Sequence, residues 1–142
     1  MSGSTLTNHV LVMALGLAGL SAACGDNNSS TATSPSTQTG PKTESWSSVL
    51  APAGASSRSF TVTAAGTINV TMTDAGGRVI GLGVGLPRTT GGGCRLGVAV
   101  NASGGSSPQI STQADAGQYC VQVFDLGTLT DPIPFSLKIE HP

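Results

Sequence analysis

An all-β fold, a jelly-roll-like antiparallel β-sandwich of about eight strands, is what this sequence predicts. Three observations predict it. From Trp46 onward, apolar residues recur with a period of two in short runs. Turn residues interrupt those runs at regular intervals, drawn from 20 glycines and 8 prolines in 142 residues. No stretch beyond residue 45 sustains a 3.6-residue period, so helix should be nearly absent.

The strands follow in order. A first one is expected near Trp46 to Leu50. Phe60, Val62 and Ala64 then alternate with Ser59, Thr61 and Thr63. After an Ala65-Gly66 turn, Ile68, Val70 and Met72 alternate with Thr67, Asn69, Thr71 and Thr73. These two runs read as a hairpin with one face buried. Ile80, Leu82, Val84 and Leu86 alternate with Gly81, Gly83 and Gly85, glycines suited to close approach by a neighbouring segment. The Gly91-Gly92-Gly93 loop leads to Leu96, Val98 and Val100. Ile110 marks a weak strand. Tyr119, Val121 and Val123 mark a strong one, and Phe135, Leu137 and Ile139 the last.

Before this domain, in residues 1–44, the chain reads as non-globular. Val10 to Leu20 is an uninterrupted apolar run, too short to span a bilayer and of the length of a signal-peptide core. Ser21, Ala22, Ala23 and Cys24 follow, so residues 1–23 read as a signal peptide. Ala22, Ala23 and Cys24 resemble the bacterial lipobox, which implies that Cys24 becomes the first mature residue and carries acyl chains. Ser21 stands where a large aliphatic residue is usual, and no Lys or Arg precedes the apolar run. Ordinary cleavage after Ala23 also satisfies the small-residue rule. Cysteine parity favours the lipid: pairing Cys94 with Cys120 leaves Cys24 alone of three cysteines. Residues 24–44 are polar and rich in Ser and Thr, a flexible tether with a mean reach of about 25 Å. The expected address is thus an exported, membrane-anchored lipoprotein. Gly25, in place of a retention-signal Asp, points to the outer membrane or cell surface.

A disulfide between Cys94 and Cys120 suits an oxidising compartment and would stabilise a small domain by roughly 3 to 4 kcal/mol. Cys120 has the opposite parity to Tyr119 and Val121. It should therefore face away from the main core, or a bulge should shift it.

Several segments together resemble a known family. Phe60-Thr61-Val62 and Ala65-Gly66-Thr67-Ile68-Asn69-Val70 resemble the opening strands of bacterial pre-peptidase C-terminal domains. Ala116-Gly117-Gln118-Tyr119, Val121, Val123 and Phe135-Ser136-Leu137-Lys138-Ile139 resemble the closing ones. The similarity covers most of residues 45–142. It implies a jelly-roll-like sandwich that serves exported enzymes as an accessory or binding module. The chain departs from the family in carrying no enzyme domain and in its cysteine pair.

Few residues suit catalysis. His141 is the one histidine beyond the leader, and a penultimate, frayed residue is a poor base for a Ser-His-Asp arrangement. Asp125 and Asp131 are weak calcium candidates, since Asp beside Gly or Pro is also ordinary turn chemistry. No other metal and no cofactor is expected. The Gly91-Gly92-Gly93 run lacks the following Lys and helix of a phosphate loop. Only 9% of residues are charged, the net charge is -1, and the six basic residues are scattered, which argues against nucleic acid. Trp46 is a possible ligand platform, although a Trp at a strand start more often plugs a core. The expected function is a non-enzymatic binding module for a polysaccharide, cell-wall component or envelope protein. Two alternatives are a structural or assembly protein of the surface and an accessory to a separately encoded exported hydrolase.

Overall fold

A computed structural model of the protein describes residues 40–142. The signal peptide (1–23), the lipid attachment at Cys24 and most of the tether lie outside the described residues. Eight strands follow: β1 (Lys42–Leu50), β2 (Ala55–Val62), β3 (Gly66–Asp74), β4 (Ile80–Pro87), β5 (Cys94–Ala102), β6 (Ile110–Ala114), β7 (Gly117–Phe124) and β8 (Ile133–His141). No helix occurs among the described residues. The first strand starts at Lys42, ahead of the tether boundary expected at residue 44, because Lys42 and Thr43 pair with His141 and Glu140 of β8.

The strands form two four-stranded sheets, ordered β1-β8-β3-β6 and β2-β7-β4-β5, with every pairing antiparallel. This order is that of a jelly roll, in which consecutive strands repeatedly cross between the layers. One expectation is corrected here. The runs on either side of Ala65-Gly66 are not a hairpin: β2 pairs with β7, and β3 pairs with β8 and β6. Both runs alternate because each turns one face to the same core, from opposite layers. Alternation reports a buried face and not the neighbour that shares the sheet.

That core is made by the inward residues of both sheets. Ile68, Val70 and Met72 of β3 and Phe135, Leu137 and Ile139 of β8 come from one layer. Leu82 and Val84 of β4 and Val121 and Val123 of β7 come from the other. Burial follows the pleat, so the period-two pattern and the core are one fact. Trp46, in register with Leu137, packs against this core and meets Phe135 edge to face at 5.0 Å.

β4 departs from simple alternation, being buried from Ile80 through Gly85. Its glycines turn to the outer side, and each lies beneath a neighbour. The Phe124 ring lies over Gly81, the Leu96 side chain over Gly83, and the backbone of Arg95 and Leu96 over Gly85. The pairing of β4 with β5 shifts register between Val84 and Gly85. This local crossing explains how Cys94 reaches Cys120. Two strand spacings are about 10 Å, and β4 lies between β5 and β7 in the sheet. The cysteine Cα atoms are nevertheless 5.9 Å apart, and the two are bonded. Because Gly85 has no side chain, β5 bends across β4 there. Cys120, opposite Gly85 and Ser59, is buried by this arrangement although it points away from Val121.

Two stability outcomes follow. Gly85→Ala should destabilise the oxidised protein by about 2–3 kcal/mol, because rigid backbone occupies the space its methyl needs. Gly81→Ala should cost about 1 kcal/mol, because the Phe124 ring can swing aside. Urea unfolding of both variants checks the order. Replacing both Cys94 and Cys120 by Ala should cost about 3 kcal/mol, as expected for a crosslink with a sequence separation of 26, read by the same method.

Candidate functional site

A concavity opens where the edges of the two sheets face each other, between β5 and β6. It has a volume of about 550 Å³. Val84, Leu86, Leu96, Val98 and Tyr119 give it apolar walls, and Arg95, Thr112 and Gln113 supply polar groups. The cleft exists because β6 has five residues and β5 has nine, so the inward side chains of β5 are only partly covered. Val98 and Tyr119 are accordingly half-buried. Tyr119 is backed by the Phe60 ring, with centroids 6.2 Å apart.

Both cysteines set the walls of this cleft. Arg95 and Leu96 directly follow Cys94, and Tyr119 directly precedes Cys120. The sequence pointed to Tyr119 and Leu96 only as core positions and gave Arg95, Thr112 and Gln113 no role. The signal available was the adjacency to cysteine, but it becomes a site only once the edge gap is known.

A second cluster closes the opposite side of the sandwich, where β1 and β2 are the edges. Glu44 pairs with Ile139 and Arg58 with Val121, so both sit on inward positions. Glu44 Oε1 lies 2.7 Å from Lys42 Nζ and 3.4 Å from His141 Nε2, and Oε2 lies 3.3 Å from Arg58 Nη2. The Arg58–Glu44 pair thus bridges the two layers. Glu44 is held below its ordinary carboxyl pKa, first by the hydrogen bond from Lys42. Burial opposes that shift, while His141 and the charges of Lys42 and Arg58 add to it.

His141 is not frayed, contrary to the sequence expectation. It is 1% exposed, belongs to β8, and its ring lies 5.1 Å from that of Phe60. Pairing of β8 with β1 anchors it. Pro142 extends the anchor by accepting a hydrogen bond from the Thr63 N–H. Nδ1 is 3.0 Å from the Pro142 carbonyl oxygen and Nε2 faces Glu44, so both ring nitrogens are engaged within the fold. The imidazole closes the end of the core rather than facing a substrate.

The other expected site residues are placed as follows. Trp46 packs on Phe135 and does not present an open platform. Asp125 knots two loops: Oδ1 accepts N–H bonds from Gly127, Thr128 and Leu129, and Oδ2 accepts one from Ala53 at 2.8 Å. That last bond holds a non-glycine residue at a φ of 54°. These N–H donors lower the pKa of Asp125, the Ala53 bond most, with partial burial opposing. Asp131 accepts a hydrogen bond from the Thr130 hydroxyl. Among the described residues no group of three or more His, Cys, Asp and Glu is placed to hold a metal.

With the geometry described, comparison with known proteins gives one family match. Residues 15–39 are similar to the cytomegalovirus glycoprotein N terminal family, a segment outside the described residues. No curated protein matches the chain. The family match overturns the expected bacterial source and the expected affiliation with pre-peptidase C-terminal domains, since the family it finds is viral. The physical reason for the error is clear in the fold. Phe60, Val62, Ile68 and Val70, and likewise Val121, Val123, Phe135, Leu137 and Ile139, are buried alternating positions. Any jelly roll of this strand order needs such positions, so they speak for the fold and not for the family.

The Glu44 cluster gives a pH prediction. A carboxylate with a lowered folded pKa stabilises the fold above its unfolded pKa, here 4.5, and loses that contribution as pH falls through the folded value. Glu44→Gln should therefore be less stable than the parent at pH 7. The difference should shrink below pH 4.5 and vanish in stronger acid, as read by thermal unfolding across that range.

Proposed function

We propose that this protein is a non-catalytic binding module that works outside the cytoplasm, held to a membrane through lipidated Cys24. The observation that supports a binding role is the β5/β6 cleft. Its volume of about 550 Å³ lies within the range of small-ligand and side-chain pockets. Its walls are mostly apolar, with Arg95, Thr112 and Gln113 at hand to orient a ligand. A glycan chain or a side chain of a surface protein would enter from the open side and rest against Tyr119. The disulfide supports the same reading, because it suits an oxidising compartment and fixes the residues on which the cleft depends.

Exported protein, immobilised and exposed to surface glycans and surface proteins, should retain one saturable ligand. Tyr119→Ala should weaken that binding tenfold or more, or about 1.4 kcal/mol, with the unfolding midpoint measured in parallel. Reproducible hydrolysis of a surface polymer, abolished by replacing a single acid, would overturn the proposal.

A further inference from the structure

Of the six Lys and Arg residues, Lys42, Arg58 and Lys138 enter ion pairs. Arg78, Arg88 and Arg95 enter none among the described residues. Arg88 directly follows β4, at the start of the turn to β5, and lines a polar pocket of about 340 Å³. Ser57 and Gln122 line the same pocket, as register partners on the outer face of the β2-β7-β4-β5 sheet. Ser56 and the Gly91-Gly92-Gly93 run complete its polar walls, and no Asp or Glu lines it.

The backbone of Cys94 sets the side chains of this pocket. Its N–H donates to Gln122 Oε1 at 3.0 Å, and its carbonyl oxygen accepts from Arg88 Nε at 3.2 Å. Cys94 is itself fixed by its bond to Cys120. Gln122 thereby uses its acceptor, and its NH₂ group has no partner among the described residues. Arg88 uses Nε, and neither of its Nη groups has a partner among the described residues. The turn closes through the Arg88 N–H, which donates to the Gly93 carbonyl oxygen at 3.1 Å. Within it Gly91, Gly92 and Gly93 have φ of 76°, 67° and 78°, a run that only glycine adopts without strain. Their N–H groups carry no neighbouring side chain and donate no hydrogen bond among the described residues.

We infer that this pocket binds the carboxylate-bearing ring of an acidic sugar. The lining is rich in donors, holds one cation and presents no acid to repel an anion. One arginine matches the single charge of a carboxylate, and its planar fork binds that group through two parallel bonds. With Nε engaged, the two Nη groups form the free edge of the fork. The hydroxyls of Ser56 and Ser57 both give and accept hydrogen bonds, as the hydroxyls of a sugar ring require. The volume lies at the low end for ligand pockets and suits one ring. Arg88 is exposed, so water competes and the affinity for a single unit is weak. The pocket shares no lining residue with the β5/β6 cleft, so the inference does not require the cleft to bind anything.

Titration of the oxidised full chain carrying Cys24→Ser with glucuronate tests it, followed by NMR at the Gly91, Gly92 and Gly93 N–H groups. Saturable shifts are expected, with a dissociation constant on the order of 1 mM. Gln122→Glu keeps the acceptor for the Cys94 N–H and puts a carboxylate oxygen in place of the NH₂ group. It should weaken binding tenfold or more. Arg88→Gln, at an exposed position, should do the same, and it decides where Gln122→Glu fails to fold. Arg78→Gln removes another arginine without an ion pair, one that does not line the pocket, and should bind as the parent does. No saturable shift up to about 100 mM would overturn the inference. So would binding that persists in Arg88→Gln. Glucose binding as tightly as glucuronate would overturn it by removing the charge from recognition, and acetate doing so would remove the sugar. Tighter binding of inorganic phosphate would also overturn it, and would give the pocket to a different oxyanion.

Discussion

The crossing of β5 over Gly85, held by the Cys94–Cys120 bond, is the constraint on which the cleft side of this domain rests. β4 is the only strand between the two cysteines, and it can be crossed because position 85 has no side chain. The bond then fixes the strand on each side of it. Arg95 and Leu96 are carried to one wall of the cleft and Tyr119 to the other. The disulfide is therefore more than an entropic staple on the unfolded chain. It sets the width of the gap that the short β6 leaves open.

The two open sides of the sandwich are finished by opposite means. Beside β1 and β2, where Glu44, Arg58, Lys42 and His141 gather, charge closes the gap and ties layer to layer. Beside β5 and β6 the lining is mostly apolar, with Arg95, Thr112 and Gln113 among it, and no ion pair spans the gap among the described residues. An exposed ion pair adds little to stability, but an inward charge on an edge strand makes docking of another strand costly. One side is thereby closed by charge, and the other keeps an open, mostly apolar cleft. Asp125 serves similarly on a smaller scale, by gathering four N–H groups that fix both loops at one end.

Strand positions and the buried faces were legible in the sequence, because the pleat writes burial directly into a period of two. Phe60, Val62, Ile68, Val70, Val121 and Val123 could be assigned inward from that alone. Partners were not legible. β2 and β3 look like a hairpin because both face one core, and nothing in their alternation says that they lie in different layers. Cys120 was read as facing away from the main core, as it does, but parity reports the side a residue faces and not what covers that side. His141 was misjudged because proximity to the chain end was weighed without the knowledge that β8 is an interior strand of its sheet. The cleft was invisible for a related reason: it is a property of two edges, β5 and β6, and of the difference in their lengths.

The register of β1 against β8 also has a mechanical meaning. Lys42 lies opposite His141, so the first pair of that ladder is also the pair nearest residue 40. A load applied there pulls β1 away from β8 one pair at a time, as a zip opens, and does not shear the whole strand at once. The first pairs to open are those of Lys42 and Glu44, which carry the charged cluster. Those residues act as a clasp at the mouth of the zip, and the clasp slackens in acid, when Glu44 takes up a proton.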